Sequence, residues 1–152
     1  MSSESVNAGV ERASAQLAGL YRSELAAVQT YDVALCHASL AKYAEDLRKQ
    51  KHLHEARVAA LLQRLHDVGT PVPASSGAWG TFARLVEEAA ASFSPEMALA
   101  VLEEEEDTLA RDYTGALDVL DPSSKALVAD QLLPAQTATH GAVRRMHEIA
   151  GA

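Results

Sequence analysis

The chain is short of the residues that build sheets, disulfide frameworks and membrane spans. Of its 152 residues one is isoleucine, one is cysteine, and phenylalanine, tryptophan and tyrosine together number seven. Strands draw on β-branched and aromatic side chains, so an all-β or parallel α/β fold is excluded. The single Cys36 allows neither an intramolecular disulfide nor a multi-cysteine zinc site. Residues 1–10 are polar, with no apolar leader segment and no run of bilayer length. A soluble, cytoplasmic protein is therefore expected. Positive charge is scarce too: 13 Lys and Arg stand against 21 Asp and Glu, and the one basic cluster is Arg48-Lys49-Gln50-Lys51. Nucleic acid requires a broad cationic surface, so that partner class is excluded, and an anionic membrane surface is disfavoured for the same reason.

What the chain has in quantity is alanine (30) and leucine (19), two of the strongest helix formers. The reading is all-α, with one domain over residues 1–152 and residues 1–10 the stretch most prone to disorder. Helical periodicity predicts a first segment from Glu4 to Cys36 and a second to Val68, with Ser39 as its cap. Gly69 reads as a stop, and residues 69–77 as an extended connector. A short amphipathic helix follows over Thr81–Ala91, with Phe82, Leu85 and Val86 inward. Ser94-Pro95-Glu96 starts a third long helix to Leu120, and Asp121-Pro122 a fourth to Ala150, in which Pro134 makes a kink or marks a late start. Short joins make antiparallel hairpins of the first and last pairs. The connection between them is long enough to travel back along a bundle of about 40 Å.

Polar residues on otherwise apolar stripes carry the functional signal. Leu102, Glu106, Leu109, Tyr113, Ala116 and Leu120 follow one another at helical steps. Leu20, Glu24, Ala27, Tyr31, Ala34 and Ala38 repeat those steps 82 residues earlier. The second helix carries the stripe Leu40, Ala44, Leu47, Lys51, His54, Val58, Leu61 and Leu65, and the fourth places His140 inward. Two buried carboxylates facing two imidazoles suggest a shared centre, because an unpartnered buried charge is costly. Carboxylate oxygen and imidazole nitrogen suit iron, manganese or zinc. Glu103 and Glu55 are the neighbouring candidates if a helix register differs. Trp79 reads as an anchor for the connector, and Cys36 as a buried small apolar group. No nucleophile motif or phosphate loop is present.

These features resemble the ferritin-like superfamily, whose small members include rubrerythrin and bacterioferritin, and in particular a compact bacterial branch of unknown function. The resemblance rests on the paired Glu24/Tyr31 and Glu106/Tyr113, the acidic run Glu103–Asp107, and a Gly-rich turn at residues 77–80 before the short helix. It implies an antiparallel four-helix bundle with a long crossover, holding metal between its helices. In such proteins a Glu on the first and third helices joins a Glu-x-x-His on the second and fourth. Glu24, His54, Glu106 and His140 take the ligand places, with Tyr31, Tyr113, Lys51 and Gln136 behind them. Lys51 and Thr137 stand where two further glutamates belong. Two readings follow: a metal-binding or redox-associated bundle with a reduced site, or a metal-free interaction or stress-associated module. Symmetric dimers are the commonest oligomers, so a homodimer is the expected assembly.

Overall fold

The computed structural model describes residues 2–76 and 81–152, and all regular structure among them is helical. The Gly-rich turn at 77–80 and the anchor reading of Trp79 lie outside the described residues. Helix α1 spans Ser3–Leu35 with its cap at Ser2, so residues 3–10 are helical. A 3₁₀ segment over Ala38–Tyr43 leads into α2 (Ala44–Asp67). Then come α3 (Thr81–Ala91), α4 (Pro95–Ala116), α5 (Pro122–Leu127) and α6 (Leu133–Gly151). Among the described residues no helix is long and apolar enough to cross a membrane.

Side-chain pairs fix the helix directions. Asp32 meets Lys51 and Ser14 meets Thr70, so α2 runs back along α1. Thr30 reaches Glu105 and Ser23 reaches Asp112, so α4 also opposes α1. Arg57 contacts Thr139 and Arg64 contacts Ser124, so α6 opposes α2. Gly151 lies beside Glu96 and His140 beside Asp107, so α6 opposes α4 as well. Helices α2 and α4 therefore run the same way, and the chain between them returns along the molecule. Within that return α3 packs on α1 and α4. Two apolar clusters fill the ends of the helix group, one around Leu47, Leu99 and Val143 and one around Leu17, Leu61 and Val128.

Several local expectations change. Ser39 caps nothing; it lies inside the 3₁₀ segment and donates to the Ala90 carbonyl, tying the first hairpin to the end of α3. Helix α3 buries Ala83, Val86, Ala89 and Ala90, whereas Leu85 is exposed, because alanines let it lie close on α1 and α4. Cys36 is exposed, just past the end of α1. Pro134 stands in the first turn of α6, so it marks a late start of the last helix. It follows a π turn over Val128–Leu132, where the Leu133 N–H reaches back to the Val128 carbonyl. That wider turn accommodates a residue with no N–H to give.

Among the described residues two connections turn through the left-handed region: Gly69 at φ 70° and Phe93 at φ 55°. Glycine is at home there, whereas an L-residue with a bulky side chain is strained. Phe93 is also 81% exposed, so its ring offers little packing in compensation. Phe93→Gly is expected to raise unfolding stability by about 0.5–1 kcal/mol, and Gly69→Ala to lower it by about 1 kcal/mol. Urea denaturation monitored by circular dichroism measures both.

Candidate functional site

Midway along the helices the apolar clusters give way to a polar layer. Glu24 comes from α1, His54 and Arg57 from α2, Glu106 from α4, and Gln136 and Thr139 from α6, and none of the six is more than 3% exposed. His54 is central. Its Nδ1 lies 2.7 Å from Glu24 Oε2, and its Nε2 lies 2.6 Å from Glu106 Oε1. With a carboxylate on each edge the ring is held as imidazolium. Burial opposes the charge, but Glu106 and Glu24 outweigh it and raise His54 to about 9.

The remaining donors close around the two carboxylates. Arg57 Nε donates to Glu24 Oε1 at 2.6 Å, and the Tyr113 hydroxyl donates to the same oxygen at 2.7 Å. Glu106 Oε1 receives the Tyr31 hydroxyl at 2.7 Å, while its Oε2 receives Gln136 Nε2 at 2.6 Å and the Thr139 hydroxyl at 3.0 Å. Arg57 Nη2 donates to Gln136 Oε1 and Thr139 Oγ1. It also stands 2.8 Å from His54 Nδ1. Both groups are donors, so this is a close approach of two cations drawn in by Glu24, not a hydrogen bond. Burial raises the Glu106 carboxyl, yet His54 and its donors overcome this and hold it near 2. Tyr31 and Tyr113 are pushed well above the usual phenol range by burial and the adjacent carboxylates, so they remain donors.

An internal repeat organises the layer. His54 and Arg57 follow Glu24 by 30 and 33 residues, and Gln136 and Thr139 follow Glu106 by the same 30 and 33. The 82-residue offset of Glu24/Glu106 and Tyr31/Tyr113 thus extends to His54/Gln136 and Arg57/Thr139. Each Tyr crosses to the other half's Glu. Even the flanking pairs match: Ser23 on α1 bonds Asp112 on α4, and Thr30 on α1 bonds Glu105 on α4. In the first half the two α2 positions are cationic; in the second the two α6 positions are neutral donors.

Six of the eight residues singled out from the sequence meet here: Glu24, His54, Glu106, Tyr31, Tyr113 and Gln136. Two do not. His140 is one position beyond Thr139 and so about 100° further round α6, where it faces Asp107 at 3.3 Å. Lys51 is one position beyond Gln50, on the α1 side of α2, and pairs with Asp32 and Glu55. The inward stripe of α2 is Leu47, Gln50, His54, Arg57, Leu61 and Leu65, so Gln50 and Arg57 replace Lys51 and Val58. Arg57 and Thr139 escaped the sequence reading because neither residue type marks a core position. The 82-residue offset is the signal that locates Thr139.

The donors present do not fit a metal ion in this arrangement. Ligands converge at about 2 Å on one point, whereas here each ring nitrogen of His54 is taken up by a different carboxylate. No three or more His, Cys, Asp or Glu among the described residues form a group able to hold a metal. Comparisons with family models, curated proteins and solved structures give no match for this chain.

Beside this layer Glu105 is buried, bonded through Oε2 to Thr30, and burial pushes it up to about 8. Together these groups set the pH dependence of folding. His54 binds its proton more tightly when folded, so its contribution is complete below pH 6.5 and disappears as pH rises through about 9. Glu105, also raised, lowers stability progressively from pH 4.5 to about 8. Glu106 is depressed, so its contribution is present above pH 4.5 and is lost as pH falls toward 2. Melting temperature is expected to peak near pH 5 and to fall on both sides. Glu105→Gln flattens the decline between pH 5 and 8, and His54→Gln flattens the part that continues to pH 9.

Proposed function

We propose that the protein is a ferritin-like helical bundle whose centre is closed by two protein cations in place of metal, and that its function is binding at its surface. The helix directions and the long return between α2 and α4 support the ferritin-like topology. One observation carries the functional reading: His54 and Arg57 neutralise Glu24 and Glu106 within a fully buried layer. Arg57 does not deprotonate in a protein. A divalent ion entering beside it meets an already balanced site and must break three charge-assisted hydrogen bonds of His54 and Arg57.

The repeat indicates how such a centre differs from a metal-holding one. The two helix-borne Glu-x-x-His motifs of a carboxylate-bridged centre map by position onto His54-x-x-Arg57 and Gln136-x-x-Thr139. On this reading the core serves to fix the four helices.

Elemental analysis of protein purified without chelator tests this. The expected result is no stoichiometric iron, manganese or zinc, and no rise in melting temperature when Fe(II), Mn(II) or Zn(II) is added. The combined variant His54→Glu, Arg57→His, Gln136→Glu, Thr139→His is expected to take up metal. Stoichiometric metal in the wild-type protein, lost in His54→Ala and Glu106→Ala, contradicts the proposal.

A further inference from the structure

A groove of about 420 Å³ lies between α2 and α6. That size is within the range of small-molecule sites, about 300–1,000 Å³. Its apolar surface comes from Leu53, Ala138, Ala142, Met146 and Ile149. Leu53 is 40% exposed and Ile149 61%, whereas Met146 is buried at the base. At the base too is Gln50, 5% exposed, with no side-chain hydrogen bond among the described residues. A nearly buried amide that lines a groove without a partner is set to bond something that enters it.

The rim adds charge. Lys49 on α2 and Arg145 on α6 both line the groove, and neither has an ion pair among the described residues. Asp46, at the α2 end of the rim, is the single acid among the lining residues. In a chain of net charge −8, this is a locally cationic, apolar cleft. An amine would meet two cations and one acid, and a neutral hydrocarbon would leave Gln50 unbonded. A carboxylate attached to an unbranched apolar chain satisfies all three features: Lys49 and Arg145 take the charge, the Gln50 amide donates, and the alkyl chain covers Leu53, Ala142, Met146 and Ile149.

We propose that the α2–α6 groove is a binding site for an alkanoate, a straight-chain apolar carboxylate. This rests on the reading that the surface carries the function. The metal assay above tests that reading alone, so the two can fail separately.

Isothermal titration of the full chain with decanoate, below its micelle concentration, is the test. The expected result is saturable binding of one decanoate per chain. Butanoate, with the same charge and less apolar surface, binds more weakly, and decylamine does not compete. Arg145→Ala and Gln50→Leu each weaken binding by about tenfold, the scale of one hydrogen bond to a charged group. Asp46→Asn strengthens it. Lys49 and Arg145 are on the surface, so their variants keep the fold, and Ala142→Trp fills the groove and abolishes binding. Non-saturable uptake, binding unchanged in Arg145→Ala and Ala142→Trp, or equal affinity for decylamine overturns the proposal. So does a dimer in sedimentation that Ala142→Trp disrupts, since a second copy then occupies the groove.

Discussion

The molecule depends on one imidazolium ring held between two carboxylates. Glu24 and Glu106 belong to the two helices that supply the largest shares of the core, and both are fully buried. Left alone, each would be an unpaired charge in a low-dielectric interior, a cost of several kcal/mol. His54 meets both at 2.7 and 2.6 Å and so joins α1, α2 and α4 through one side chain. Arg57 extends the link to α6 through Gln136 and Thr139. Removing one partner from such a network is commonly worth about 3–5 kcal/mol. The surface pair of Lys51 with Asp32 is worth about 1 kcal/mol or less. Register between the four helices is set by the first kind of contact.

The two halves of the chain divide the work unequally. Each supplies a Glu, a Tyr that crosses to the opposite Glu, and two polar positions one turn apart on the next helix. Two identical halves with cations at all four helix-borne positions would leave excess positive charge, and two neutral halves would leave two unpaired carboxylates. One cationic half and one neutral half balance. Asymmetry between repeats related by 82 residues is therefore what makes the layer electroneutral without an added ion. The same charge balance holds within the buried layer, where among the described residues only Arg57 Nη1 and Glu105 Oε1 are buried without a hydrogen-bond partner.

Much of this was legible in the sequence, for identifiable reasons. Helix starts at Ser94 and Asp121 and the stop at Gly69 follow from local capping chemistry and were read correctly. Glu24 and Glu106 stood out because an acid on an apolar stripe is conspicuous, and the tyrosines followed from the repeat. Helices α2 and α6 were harder. Lys51 and Val58 fit an inward stripe of α2 nearly as well as Gln50 and Arg57 do, since apolar residues lie on both sides of that helix. His140 is the kind of residue that binds metal, but the offset fixed by Glu24 and Glu106 leads from His54 to Gln136. Arg57 is the instructive miss: a long cation reads as surface until the carboxylates that neutralise it are known.

The protonation state of His54 tests the account most directly. Nitrogen-15 NMR of the imidazole, followed from pH 5 to 10, distinguishes a doubly protonated ring from a neutral one. The account predicts that both ring nitrogens carry protons at pH 7, with loss of the proton centred near pH 9. A neutral His54 at pH 7, or a ring signal shifted or broadened by bound metal, contradicts it.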